Sequence, residues 1–254
     1  MAHNRNRVYP NSAVNFWPPQ LSGVTMFWHH GIMLDSGGIQ TSVVEEIAGA
    51  TIAFTGTTAA AFDLSVSDRA AISCTSSPRR FFACNSRTRG DLFDDTGYDF
   101  FMVARMNAYA TTSGFWYLDP CLFVDDGIAY MGLSTSSSGL VWTHYDGSFK
   151  STTHTAPSVG VPFLFHARYD GTNISTRINA GSAQTVAAGS MISGPPNNYQ
   201  NITFKFGRSY TTGNGAPGVE ADADISACIC AKTLTSTESN NLRSWVGGQY
   251  GIAV

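Results

Sequence analysis

Three carboxylates recur at alternating positions in Glu220-Ala221-Asp222-Ala223-Asp224, the spacing that projects side chains from one face of a β-strand. On a strand reading Glu-x-Asp-x-Glu, such a set supplies the nucleophile, helper and acid of glycoside hydrolysis, in which two carboxyl groups flank the scissile bond. Here the third position holds Asp224, one methylene short, which displaces the acid. The chain has only four glutamates, Glu45, Glu46, Glu220 and Glu238, and contains no Gly-x-Ser-x-Gly elbow, P-loop or dinucleotide fingerprint. These residues predict a structural strand in a protein that is not an enzyme, with a glycoside hydrolase as a remote alternative.

Flat rings beside polar tips point to a second chemistry, stacking on a sugar face while neighbouring groups bond its hydroxyls. Phe115-Trp116-Tyr117 and Trp142-Thr143-His144-Tyr145 supply Trp116, Tyr117, Trp142, His144 and Tyr145 as candidate glycan-binding residues. The competing reading makes the same aromatics core residues of half-buried strands. Residues 1–20 differ from the rest: Asn, Arg and Pro are interspersed with Tyr9, Phe16 and Trp17, and Pro18-Pro19 closes the segment. That composition predicts an extended arm that attaches through these three rings, either to a neighbouring subunit or to its own sheet.

Metal chemistry has weaker signals. Asp91, Asp94, Asp95 and Asp99 cluster around Gly90 and Gly97, and Asp125-Asp126-Gly127 forms a second acidic turn. Oxygen-rich loops of this kind suit calcium, but Asp and Gly also populate ordinary turns, so the expectation is no cofactor, with calcium as the minor alternative. Cys228 and Cys230 share a strand face without a second Cys/His pair at ligand spacing, and adjacent His29-His30 point apart. With Cys74, Cys84 and Cys121 they make five cysteines, an odd number that reads as buried reduced thiols or a crosslink between subunits.

The elements that must position these groups are β-strands. Phe163, Phe165, Ala167 and Tyr169 alternate with His166 and Arg168, Asp170-Gly171 turns the chain, and Ile174, Thr176 and Ile178 resume the period before Asn179-Ala180-Gly181 turns it again. Two successive hairpins result. Ile202, Phe204 and Phe206 mark a strand ending at Gly207, and Ile225, Ala227, Ile229 and Ala231 mark the next, with the two cysteines on the opposite face. Thr235-Ser236-Thr237-Glu238 fits a capping box, followed by the Leu242, Trp245, Val246 stripe and a helix end at Gly247-Gly248.

In this order, Tyr169-Asp170-Gly171, Asn179, Phe206-Gly207-Arg208, Asp224-Ile225, Leu234 to Glu238 and Tyr250-Gly251-Ile252 resemble the closing third of the concanavalin A-like lectin/glucanase sandwich, in the laminin-G-like branch common in bacteriophage and bacterial surface proteins. Two departures stand out: Asn179-Ala180-Gly181 replaces an Asn-Gly turn, and Ser226-Ala227 follows the Asp-Ile pair where the family carries Ala-Glu. The segment from Asp99 to Met106 fits a core strand. The resemblance implies an all-β, antiparallel two-sheet jelly-roll sandwich over 21–254 with one short C-terminal helix, behind the arm of 1–20. It also implies a bacteriophage virion structural protein, a capsid decoration or head/tail appendage, attached through its arm and loops to other virion proteins and to copies of itself. A glycan-binding module for host-surface polysaccharide is the alternative.

Composition agrees with a β sandwich. Gly and turn signals recur and long helical periodicity is absent. Charged residues make up 13% of the chain, against about 25% in typical domains, which suits a surface packed against neighbours. A net charge of −3 with three lysines gives no basic stripe for nucleic acid. No apolar run has membrane-spanning length, and the amino terminus lacks a signal-type apolar stretch, which predicts synthesis in a host cytoplasm for a virion destination.

Overall fold

The computed structural model describes residues 18–29, 39–40, 42–44, 46–49, 51–56, 60–66, 69–76, 79–84, 87–109, 121–125, 131–136, 139–191, 204–207 and 221–254. Residues 18–20 of the expected arm form a short 3-10 turn, Pro18–Gln20, against the first strand. Tyr9, Phe16 and Trp17 lie outside the described residues.

The strands in chain order are β1 (Val24–His29), β2 (Ile39–Gln40), β3 (Ser42–Val44), β4 (Thr51–Gly56), β5 (Ala60–Val66), β6 (Arg69–Ser76) and β7 (Arg79–Cys84). After the one-turn helix α1 (Arg89–Leu92) come β8 (Tyr98–Ala108), β9 (Cys121–Asp125), β10 (Met131–Ser136), β11 (Gly139–Tyr145) and β12 (Phe149–Thr155). The last group is β13 (Pro162–Tyr169), β14 (Asn173–Ile178), β15 (Gln184–Ala187), β16 (Phe204–Phe206), β17 (Asp222–Lys232) and helix α2 (Ser236–Tyr250). Their pairing is antiparallel throughout. One sheet runs β15-β14-β13-β8-β17 and continues to β1 and β6. The other runs β12-β11-β10-β9-β16-β7-β4-β3. The fold is the expected antiparallel sandwich with one C-terminal helix, to which α1 adds a single turn.

Two apolar layers hold it. Between the sheets lie Trp28, Phe100, Met102, Trp142, Phe163, Phe165 and Phe206. On the far face of the first sheet, Phe27, Phe101, Leu164 and Ile229 pack beneath Leu242, Trp245, Val246 and Tyr250 of α2. Each fully buried large apolar side chain contributes about 1.5–3 kcal/mol. The central strands β8, β13 and β17 are therefore buried on both faces, and His166 and Arg168 face the helix where the sequence pattern alone suggested a half-buried strand.

Three details correct the expected layout. Ile225 sits opposite Ala104 and Ala227 opposite Val103, so Ser226 is an extra residue, a β-bulge that turns the strand over. Ile225 consequently joins Cys228 and Cys230 between the sheets, while Ala227 and Ile229 face α2. Cys74 and Cys84 are also core residues. The helix passes through Gly247-Gly248 to Tyr250 and ends at Gly251, whose φ of 65° forms a left-handed cap. Gly247 is a packing gap instead: a Cβ there would stand 2.6 Å from Val254 Cγ1 and 2.8 Å from the Ile252 carbonyl.

Helix α2 starts where expected, with the Thr235 hydroxyl accepting from the Glu238 amide and the Glu238 carboxylate accepting from Thr235 N–H at 2.8 Å. It is tied to the sheet through Asp99. That carboxylate, 1% exposed, accepts from Ser239 Oγ at 2.6 Å, from His166 Nε2 at 2.9 Å and from Arg168 at 3.5 Å. Arg168 also donates to the Leu234 carbonyl at 2.8 Å. Burial holds His166 below the usual histidine range despite the opposing pull of Asp99, so the neutral ring donates and Arg168 balances the charge.

A second polar chain crosses the inter-sheet core. Trp142 Nε1 donates to the Tyr98 hydroxyl at 3.1 Å, that hydroxyl donates to His144 Nδ1 at 3.2 Å, and His144 Nε2 donates to the Gly189 carbonyl at 3.1 Å. Only one neutral tautomer of His144 satisfies all three bonds. Burial lowers His144 to about 4, against smaller opposing pulls from the Gly189 carbonyl and Asp146, and it raises Tyr98 well above its usual range.

Two outcomes follow for stability. Asp99→Ala takes the shared acceptor from buried His166 and Ser239 and the counter-charge from half-buried Arg168, and in urea unfolding should cost about 3–5 kcal/mol, against about 1.5–3 kcal/mol for Ser239→Ala, which removes one hydrogen bond to the carboxylate; a smaller cost for Asp99→Ala than for Ser239→Ala would refute the central role of Asp99. Because His144 binds its proton less readily folded than unfolded, its contribution is complete above about pH 6.5 and is lost as pH falls toward 4. Of order 3 kcal/mol is at stake over that window. His144→Gln should flatten the dependence of unfolding free energy on pH between 7 and 4.5 by about one proton; an unchanged slope would count against the buried neutral ring.

Candidate functional site

The aromatic runs separate sharply once folded. Trp142 and His144 are fully buried, because both point from β11 into the inter-sheet core, and a ring with no open face cannot stack on a sugar. Tyr145, one residue further along, lies on the opposite face of β11 and is half-exposed. Trp116 and Tyr117 lie outside the described residues. Tyr145 pairs across the hairpin with Phe149, a residue the sequence reading passed over, and their ring centroids are 4.9 Å apart. Phe149 is 48% exposed, the largest apolar ring so placed among the described residues. The signal was present in Tyr145-Asp146-Gly147-Ser148-Phe149, a tight polar turn with an aromatic on each shoulder.

This hairpin tip is held rigidly. Asp146 accepts from the Ser148 amide at 3.1 Å and hydroxyl at 3.0 Å, and its other oxygen accepts from Gly189 N–H at 2.7 Å. Partial burial pulls its carboxyl up, but these bonds outweigh that and hold it below the usual range. Lys150 lies 4.0 Å away. Gly189 is thus gripped twice by the hairpin, through its N–H by Asp146 and through its carbonyl by His144. The buried relay that removed Trp142 and His144 from the surface fixes the surface beside them.

At the other end of β12 lies a cleft of about 470 Å³. It opens where β12, the edge of the second sheet, runs against β14 and β15 at the edge of the first. Thr153, His154 and Thr155 form one side, Pro157, Ser158, Val161 and Pro162 continue it, and Asn179, Ser182 and Gln184 face them. Among the described residues, the lining contains no Asp, Glu, Lys or Arg. Both walls are anchored: Tyr109, its hydroxyl pushed up to about 12 by burial, donates to the Pro157 carbonyl at 2.8 Å, and Asn179 Oδ1 accepts from Leu164 N–H at 2.8 Å. Arg243 of α2 bonds the Asn179 carbonyl. Gly139 permits β11 to pass under this end, since a Cβ there would collide with the His154 carbonyl.

The carboxylates singled out for chemistry are engaged elsewhere. Asp224 is buried and pairs with Arg105 at 2.8 Å on β17, as a structural strand requires, and Glu220 lies outside the described residues. Asp91 caps α1, accepting from Thr88 N–H at 2.7 Å, Asp94 lies 3.6 Å from Lys232, and Asp95 lies 4.0 Å from Arg89. With Asp99 committed to α2, the acidic loop spends its oxygens on protein donors, and no group of three His, Cys, Asp or Glu among the described residues is arranged to hold a metal. Ser239, His166 and Asp99 have the composition of a hydrolase triad without its geometry. A triad places the acid on one ring nitrogen and the serine on the other, whereas here both oxygens lie against Nε2, at 2.9 Å and 3.4 Å, beneath a helix.

No protein-family model matches the sequence, and no curated protein is similar to it. The fold is shared more widely. Domain 4 of AbnA, a GH43 extracellular arabinanase from Geobacillus stearothermophilus, solved in complex with arabinotriose, matches with a TM-score of 0.57 and 12% identity over 87% of this chain and 98% of that one. The botulinum neurotoxin serotype G binding domain matches with a TM-score of 0.56 and 12% identity over 88% of this chain and 51% of that one. Trypanosoma rangeli sialidase, in complex with sialic acid, matches with a TM-score of 0.56 and 10% identity over 87% of this chain and 33% of that one. The chain thus spans nearly all of the arabinanase domain, half of the toxin domain and a third of the sialidase, and what it shares with them at these identities is the lectin-like β-sandwich fold.

Proposed function

We propose that this sandwich is a non-enzymatic glycan-binding module that engages its ligand through the Tyr145–Phe149 surface. The observation that carries the reading is the solvent-facing Phe149 ring, held against Tyr145 on a hairpin whose tip is locked by Asp146 and Gly189. A rigid flat ring beside fixed polar groups is what stacking on a sugar needs, at little entropic cost on binding. The matched arabinanase domain, solved with arabinotriose, and the matched toxin binding domain support placing a recognition role on this architecture. The virion attachment role that the sequence resemblance implied draws no support from these likenesses and is not carried further. The absence of catalysis rests on the commitments of Asp224 to Arg105 and of Asp99 to α2.

Ring stacking of this kind contributes about 0.5–1.5 kcal/mol beyond buried area, so a single site is weak and gains from display in several copies. On a glycan array followed by calorimetry, Phe149→Ala should weaken binding about tenfold, equivalent to about 1.4 kcal/mol, while leaving the unfolding midpoint unchanged. Reducing ends should not be released from the bound glycan. An empty array, binding indifferent to both Phe149→Ala and Tyr145→Ala, or steady release of reducing ends would each sink the reading.

A further inference from the structure

Edge strand β12 connects the aromatic tip to the cleft. Its burial alternates, with Thr152 and His154 inward and Phe149, Ser151, Thr153 and Thr155 all exposed, so one ring and three hydroxyls form a single row. At about 3.3 Å per residue the row is about 20 Å long, more than one sugar ring. Thr153 and Thr155 belong both to the row and to the cleft lining; the two are continuous.

The cleft contributes a polarised acceptor. Thr176 Oγ1 donates to Thr152 Oγ1 at 2.7 Å, so its oxygen accepts from His154 Nε2–H at 2.8 Å. With its proton on Nε2, His154 keeps Nδ1 as an acceptor that has no hydrogen-bond partner among the described residues, and the residue, 9% exposed, is one of those lining the cleft. Burial favours the neutral ring, against a smaller pull from Thr176. Across the cleft, Gln184 offers both a donor and an acceptor, and Val161 and Pro157 offer apolar surface for C–H faces. With no charged side chain among the described residues of the lining, an anionic ligand would lose its hydration there and gain no counter-charge from them.

We propose that β12 carries an extended subsite for a linear, neutral oligosaccharide, running from the Phe149 ring along the outward face of the strand and over its free edge into the cleft, where His154, on the inward face, accepts a ligand hydroxyl at Nδ1. The proposal rests on the glycan-binding reading and adds to it the ligand's length, neutrality and second contact.

The test is long-range proton–nitrogen NMR of the histidine rings in the full chain, titrated with arabinotriose, maltotriose and cellotriose, their pentasaccharides, and trigalacturonate as a size-matched anion. His154 should carry its proton on Nε2, and its Nδ1 resonance should move with at least one neutral series. The pentasaccharide of that series should bind at least tenfold more tightly than the trisaccharide, with the gain lost in Phe149→Ala and in Gln184→Ala, both exposed positions that leave the core intact. Trigalacturonate should bind at least tenfold more weakly than the neutral trimer. A proton on Nδ1, a His154 ring that ignores all the neutral ligands, or preference for the anion would overturn the subsite. If Tyr145 and Phe149 respond while His154 does not, the subsite falls and the glycan-binding reading stands; if none responds, both fall.

Discussion

A single buried carboxylate, Asp99, holds the helix to the sheets. Placing an unpaired charge in an apolar interior costs several kcal/mol, so Asp99 is tolerated only while Ser239, His166 and Arg168 surround it together. Those partners come from α2 and β13, and Asp99 itself from β8. The cluster can be satisfied only when helix and sheet meet in one register. Apolar packing under Leu242 and Trp245 supplies area, but it is non-directional; direction comes from the carboxylate cluster, joined by Tyr250, which donates to the Ser226 carbonyl at 2.9 Å, and by Arg243, which bonds the Asn179 carbonyl.

Closing the first sheet on both faces has a consequence for function. Strands β8, β13 and β17, sandwiched between the inter-sheet core and α2, have no surface left to offer a ligand. The surface left open lies on the second sheet and at the seam where its edge, β12, meets β14 and β15. There the same principle recurs on a smaller scale. The Trp142–Tyr98–His144–Gly189 relay consumes the polar atoms of two large rings inside the core, and its far end fixes the loop that Asp146 grips from outside.

How much of this was legible depended on whether a signal was local. The hairpins at Asp170-Gly171 and Asn179 and the Thr235–Glu238 capping box arise from spacings of two to four residues, and each is found where those spacings put it; the Asp99 to Met106 core strand, which the family resemblance implied, is also present. The misses are tertiary. Nothing near His166 in sequence announces that a helix 73 residues away will bury it against Ser239. The Ser226 bulge reverses the face of Ile225 without leaving a glycine or proline as a marker, and Gly247, a strong local stop, was kept by the tail folding back over it. At the candidate site, Trp142 and Tyr145 look alike on paper. Three residues along a strand put them on opposite faces, and which face met the other sheet decided which ring was fully buried.

The same logic separates the serine, histidine and aspartate beneath α2 from a hydrolase site. A catalytic triad needs an exposed nucleophile whose proton passes to a nitrogen that a carboxylate orients from the opposite side of the ring. Here Ser239 gives its proton to Asp99 directly, at 2.6 Å, and His166 donates to that same oxygen. Both donors spend their hydrogens on one carboxylate oxygen, so no histidine nitrogen is placed to take the serine proton, and Ser239 is 2% exposed. On β12 the opposite condition holds. Thr176 directs its proton inward to Thr152, His154 follows with Nε2, and the unspent lone pair of Nδ1 is left at the cleft. The two histidines thus differ in how their chains end: at His154 in an acceptor with no partner among the described residues, and at His166 in a cluster that closes on a single carboxylate oxygen.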